Sequence, residues 1–295
     1  MSKKHPIIAV TGSSGAGTST VKEAFEHIFR RADINPAVVE GDSFHRYDRI
    51  AMKAMVAKEE AKGNKSFSHF GANANEFKKL DELFETYGKT GSGKRRLYLH
   101  SDEEAAEFDG LNPGQFTPWA DIPVGSDLMF YEGLHGCVVK DDINMASHVD
   151  LKVGVVPVIN LEWIQKIHRD TEQRGYSEEV VMDTIMRRMD DYVRYIIPQF
   201  QHTDINFQRV ATVDTSDPII ARDIPTPDES LVIIRFRKPQ NIPGNVDFPY
   251  LLRMIPNSFM SRRNTIVVPG GKMGFAMELI FTPILEQMMK DREEG

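Results

Sequence analysis

Four short, almost wholly apolar runs, at residues 7–10, 37–40, 128–131 and 151–156, punctuate the first half of the chain. Runs of that length between turn residues read as strands buried on both faces of a parallel sheet. Residues 19–31, 159–174 and 178–195 have helical composition, so strands and helices alternate as in a mostly parallel α/β sheet with helices on both faces. Between the second and third strands lies a polar insertion from about 43 to 123. It holds helical stretches at 47–62 and 76–87, a Gly/Lys-rich turn at 88–94, and a run at 95–100 that alternates like a strand. After Pro198 the texture changes. Short β-rich runs at 208–213, 231–236 and 265–268, separated by proline-containing turns, predict antiparallel strands added to the sheet's edge, closed by a helix over 272–289. With no internal repeat and a turn rather than a linker at 239–244, residues 1–295 are expected to form one domain, β-rich from about 199.

The first strand runs into Gly12, Ser13, Ser14, Gly15, Ala16, Gly17, Thr18 and Ser19, and Thr20 continues into the first helix. This is a phosphate-binding loop with one departure: Gly-x-x-x-x-Gly-Lys-[Ser/Thr] has lysine where this chain has Thr18. Glycines let successive N–H groups point inward, and the helix adds its positive end, so a di- or triphosphate is the expected guest. Ser19 is the expected magnesium-holding hydroxyl. The cation absent from position 18 has to come from elsewhere in the chain.

Composition narrows the classes. Lys and Arg number 36 against 43 Asp and Glu, a net charge of −7, which argues against a nucleic-acid scaffold. No apolar stretch is long enough to span a bilayer and no signal-like segment opens the sequence, so a cytoplasmic protein is expected. The single cysteine, Cys137, cannot form an internal disulfide and reads as a small buried thiol.

Candidate chemistry gathers at the carboxyl ends of the parallel strands, where open α/β sheets bind ligands. The second strand ends in Glu40, Gly41 and Asp42, which puts a carboxylate beside the loop. Asp42 suits a base for an acceptor hydroxyl, and spacing alone allows a helix cap equally. The third strand ends in Glu132, placed to reach a metal opposite Ser19. In the helix after the fourth strand, Lys166, Arg169 and Asp170 share one face, with Arg174 a turn beyond and Gly175 at the end. That face is either a lid that supplies the missing cation or a solvated helix with internal ion pairs.

These segments, with Phe130-Tyr-Glu-Gly-Leu-His135, residues 159–170 and Asp204-Ile-Asn-Phe-Gln-Arg209, resemble the phosphoribulokinases, specifically the bacterial form, through almost the whole chain. The resemblance implies a P-loop kinase that uses ATP and Mg2+ to phosphorylate ribulose 5-phosphate on its 1-hydroxyl. It implies Asp42 as general base and Glu132 as the metal-associated carboxylate. Lys166 and Arg169 would stabilise phosphoryl charge, and Asp170 would be a further active-site carboxylate. His45, Arg49 and Arg174 would bind the sugar phosphate, with Tyr98 and His100 as additional substrate candidates. The resemblance further implies a homo-oligomer, NADH activation and AMP inhibition, with Arg31, Arg235 and Arg262 as effector-site cations, and no nucleic-acid or membrane partner. A plant-type loop cysteine is absent, which removes thioredoxin control by that route. A kinase of the uridine or pantothenate type would share the loop, Asp42 and the lid, but would need no phosphate-binding cluster for its acceptor.

Overall fold

The structure, a computed structural model, describes residues 4–13, 18–220 and 223–294, with Thr18 and Ser19 described in their backbone alone. Ser14, Gly15, Ala16 and Gly17, the centre of the expected phosphate loop, lie outside the described residues.

The strands are β1 (Ile7–Gly12), β2 (Pro36–Glu40), β3 (Leu128–Gly133), β4 (Leu151–Val155), β5 (Ile205–Ala211), β6 (Ser230–Phe236), β7 (Phe259–Arg262) and β8 (Thr265–Pro269). They form one sheet in the order β2-β3-β1-β4-β5-β6-β8-β7. Pairing is parallel from β2 through β5 and antiparallel from β5 to the β7 edge, as the change of texture after Pro198 predicts.

The six residues of β1 are all buried because both faces of the sheet are covered. Successive side chains point to opposite faces, so Ile8 and Val10 enter one core while Ile7 and Ala9 enter the other. On the first face lie helices α1 (Thr18–Arg31) and α6 (Met273–Glu293). They meet where Phe25 packs 4.3 Å from Phe281 and 5.0 Å from Phe130, ring centre to ring centre. The second face is covered by the insertion's helix α3 (Phe77–Thr90), where Phe84 packs edge-on against Tyr131 at 5.3 Å. A second insertion helix, α2 (Arg49–Ala61), is capped by Asp48, which accepts from the Ala51 amide.

The helix expected over 159–174 is α4 (Ile159–His168) continued by a π-helical turn, Arg169–Gln173, and stopped by Gly175 at φ 68°. After it, α5 (Glu178–Asp191) starts on a Ser177 cap and continues as a second π turn, Tyr192–Ile196. Two expectations need correction. Residues 95–100 do not form a regular strand: only Lys94–Arg95 pairs with Ala120–Asp121, followed by one isolated bridge between Tyr98 and Phe116. Arg96 interrupts the ladder, its guanidinium 3.7 Å over the Phe116 ring while it donates to the carbonyls of Ser43 and His45. The stretch between 236 and 265, expected as proline-containing turns, also holds the edge strand β7 and a helix at Phe248–Met254, capped by Asp247 accepting from the Tyr250 amide.

Candidate active site

Strand register brings the chemistry together. Glu132 is aligned with Val10 of β1 on one side and with Glu40 of β2 on the other, so three strand ends meet at one level. Just beyond them Gly41 and Gly133 touch: a Cβ on Gly133 would stand 2.7 Å from the Gly41 Cα, a distance no real side chain tolerates. This close approach lets Asp42, one residue on, face the same opening as Glu132. A cavity of about 460 Å³ lies there, lined by Gly12, Lys22, Glu40, Asp42, His100 and Glu132 among others.

Asp42 belongs to the short 3-10 turn Gly41–Phe44, with its side chain half-exposed. Burial opposes its charge, but His45, whose Nε2 lies 3.3 Å from Oδ1, overrides this and holds the carboxyl well below the usual range. Asn75 anchors the other side of the His45 ring. Its Nδ2 donates to the carbonyls of His69 and Gly71, both at 2.7 Å, which leaves Oδ1 to accept from His45 Nδ1 at 2.8 Å. The His69 ring lies against His45 with ring centres 4.7 Å apart and planes tilted by 35°.

Beside Asp42, Glu40 binds Lys22 at 2.7 Å and faces His100 Nε2 at 3.8 Å. The His100 imidazole, burial notwithstanding, and the Lys22 ammonium together hold Glu40 down to about 2, and Glu40 in turn raises His100. His100 therefore lines the cavity paired with Glu40. Tyr98 stands edge-on to His100 at 4.8 Å, and Arg49, the first residue of α2, approaches the His100 carbonyl at 3.5 Å.

On α4 and its π turn the cations converge on one buried carboxylate. Asp170 is 4% exposed and pairs with Lys166, with Arg169 Nε at 3.0 Å and with Arg174 at 3.3 Å. Desolvation opposes the Asp170 charge, but Lys166 and Arg169 hold it ionised below the ordinary aspartate value. Burial and the nearby Arg188 lower Lys166 to about 8, against the pull of Asp170. Arg188, buried enough to fall to about 10, rests its guanidinium 5.0 Å over Phe70 and feels Asp170, Glu162 and Asp42.

A second cleft, of about 290 Å³, opens at the carboxyl ends of β4 and β5, where Thr20, Val156, Leu161 and Met273 give a largely apolar lining. Glu162 on its wall is raised by burial and eased by the hydroxyls of Ser13 and Tyr192. The two openings flank the start of α1, one polar and acidic and the other apolar.

The structure thus gathers Gly12, Asp42, His100 and Glu132 around one cavity with His45 against Asp42, and keeps Lys166, Arg169, Asp170 and Arg174 together on α4 and the turn that follows it. The side chains of Thr18 and Ser19 lie outside the described residues. Sequence reasoning missed Lys22, His69 and Asn75, named Glu40 without a role, and read Arg188 either as part of the basic theme or as a helix-surface charge, whereas burial lowers its pKa and its guanidinium rests over Phe70. Lys22, one turn into the helix after the loop, was the one with a local signal. Cys137 is buried and its thiol is pushed up to about 12 by burial, as expected for a structural thiol. Among the described residues no group of three or more His, Cys, Asp or Glu forms a ready metal cage, and no helix is long and apolar enough to cross a membrane.

Comparison with known proteins agrees with this geometry. Residues 7–216 match the family model described as Phosphoribulokinase / Uridine kinase family. The chain is 62% identical over 289 residues to a phosphoribulokinase of Xanthobacter flavus, covering 98% of each. It is 59% identical over 295 residues to one of Nitrobacter vulgaris, covering 100% of each. The solved phosphoribulokinase from Rhodobacter spheroides superimposes with a TM-score of 0.89 at 54% identity, over 99% of this chain and 100% of that one.

Proposed function

We infer that this chain, which belongs to the phosphoribulokinase / uridine kinase family, transfers the γ-phosphoryl group of ATP to the 1-hydroxyl of D-ribulose 5-phosphate. The product is ribulose 1,5-bisphosphate, the carbon dioxide acceptor of the Calvin cycle. The observation that carries the reading is near-identity of length and 59% identity with a named phosphoribulokinase, in a chain whose phosphate-loop strand opens onto an ionised aspartate.

In this reading Asp42 orients the acceptor hydroxyl and takes its proton as the phosphoryl group departs. A carboxylate held far below neutrality is a weak base toward a free alcohol, so proton transfer falls late, once the oxygen is already bonding to phosphorus. His45 contacts Asp42, Arg49 reaches the His100 carbonyl, and His100 lines the same cavity; with Tyr98 and Arg174 they are the proposed sugar-phosphate residues. Gly12 to Thr20 would wrap the nucleotide phosphates, and the apolar cleft beside Thr20 suits a flat base. The carboxylates of Glu40, Asp42 and Glu132 in the cavity are hard oxygen ligands that suit Mg2+; Glu132 with Ser19 would hold it, and bound there it would neutralise phosphate charge.

Lys166 and Arg169 replace the lysine missing at position 18. With both bound to buried Asp170, the cation cluster is stored close to the cavity and would exchange part of its pairing for phosphoryl oxygens as nucleotide arrives. A homo-oligomeric, cytoplasmic enzyme activated by NADH and inhibited by AMP is part of the same reading. Its proposed effector cations lie toward the antiparallel edge: Arg235 and Arg262 both align with Thr265, and Arg31 reaches Thr282 of α6 at 2.7 Å.

Turnover of ATP with a panel of phosphorylated and unphosphorylated sugars, nucleosides and pantothenate tests the assignment. Activity restricted to the pentulose phosphate is expected, and preferred turnover of a nucleoside or pantothenate would replace it with the uridine or pantothenate kinase reading.

A further inference from the structure

The insertion contributes two side chains that no catalytic motif contains. Asn75 is 2% exposed, and all of its hydrogen-bonding capacity described above is spent inside the site: two donations to the carbonyls of residues 69 and 71, one acceptance from His45 Nδ1. Those two donations settle which end of the amide faces His45, so Nδ1 carries a proton and the ring plane is fixed with Nε2 toward Asp42. Against the ring's face lies His69, whose Nδ1 is buried and has no hydrogen-bond partner among the described residues. The loop holding both residues is itself fastened to α5, by Ser66 to Asp190 at 2.6 Å and Ser68 to Asp191 at 2.9 Å.

We propose that Asn75 and His69 are positioning residues for the phosphoryl acceptor, acting through His45: Asn75 sets the rotation of the imidazole, and the His69 ring stops it tilting away from Asp42. The proposal rests on the reading of Asp42 and His45 as acceptor-side residues. It makes the polar insertion part of the acceptor site and leaves nucleotide contacts to the loop and α4.

Kinetics of single and double variants test it. Asn75→Ala should lower kcat/KM for ribulose 5-phosphate about 10–100-fold, as loss of a group that orients an active-site imidazole does, with ATP affinity unchanged within about twofold. In a His45→Ala background the same substitution should cost less than about twofold, because its target is already gone. Independent, multiplying effects, or an equal loss of ATP affinity, would overturn the proposal. His69→Ala should behave like Asn75→Ala and His69→Phe should recover most of the loss, since phenylalanine keeps the stacking face. This pair carries the test by itself if Asn75→Ala does not fold, and a His69→Phe variant as impaired as His69→Ala would refute the stacking role. Asp42→Asn measured alongside separates the failures: full turnover there removes the base assignment whatever the histidine variants do.

Discussion

Gly41 and Gly133, 92 positions apart in the chain, meet back to back at the ends of two neighbouring parallel strands, each leaving no room for a Cβ on the other. Asp42 and Glu132 flank this contact, so the separation of the two proposed catalytic and metal-associated carboxylates is set by two missing side chains.

Gly133→Ala should therefore cost function as well as stability. The added methyl meets backbone, which cannot swing aside as a flexible side chain would, so the strand ends must splay. Overpacking of this kind costs ~1–3 kcal/mol. Chemical denaturation should show that loss, and kcat at saturating substrates should fall further than the folded fraction explains. A stable variant with normal kcat would mean the two ends tolerate the spread.

Asp42→Asn keeps the shape of the side chain and removes the base. Turnover should fall by roughly 10²–10⁴ while ATP affinity stays nearly unchanged. Near-normal turnover would remove Asp42 from the chemical step and leave it a residue of the 3-10 turn.

Lys166 should titrate within an accessible range. Its pKa is lowered to about 8 by burial and by Arg188, and the protonated form is the one that can stabilise phosphoryl charge. kcat/KM should then decline as pH rises through about 8, and Lys166→Arg, which stays charged, should lose that alkaline limb while retaining part of the activity. Lys166→Met should slow transfer strongly and Thr18→Ala mildly. The reverse ranking would place the missing cation elsewhere.

Cys137 should be silent. A buried thiol pushed up to about 12 is almost entirely protonated near neutrality, and the thiolate is the reactive form. A thiol reagent should label the protein only in denaturant, and cycling between reductant and mild oxidant should leave activity unchanged. Reversible loss on oxidation would place the chain in a different regulatory branch.

NADH should raise and AMP lower activity at subsaturating ribulose 5-phosphate and fixed ATP. Arg31→Ala should weaken the response while leaving unstimulated activity intact, because Arg31 pairs with Glu278 and Thr282 on the far side of α1 from Asp42. Insensitivity to both nucleotides refutes this part of the reading.

Local order was written plainly in the chain. Apolar runs such as 7–10 specify buried strands wherever they fall, and Gly175 stops the helical stretch that carries Lys166 and Asp170 because it adopts φ 68° without a Cβ penalty. Motif segments likewise point to Asp42, Glu132 and Lys166 as the proposed site residues. What the chain could not express locally is every relation that crosses strands or enters from the insertion. Arg96 spends its guanidinium on the aromatic rings beside it and on two distant carbonyls, which breaks a run that alternates like a strand. Asn75 and His69 carry no motif, and only packing of the insertion against β2 turns them toward His45. The spacing of Lys166, Arg169 and Asp170 fits a solvated ion-paired face as well as a lid; burial of Asp170 decided that Lys166, Arg169 and Arg174 share one desolvated carboxylate. Hydrophobic period and backbone chemistry are encoded residue by residue, whereas desolvation and cross-strand contact exist only once distant segments have met.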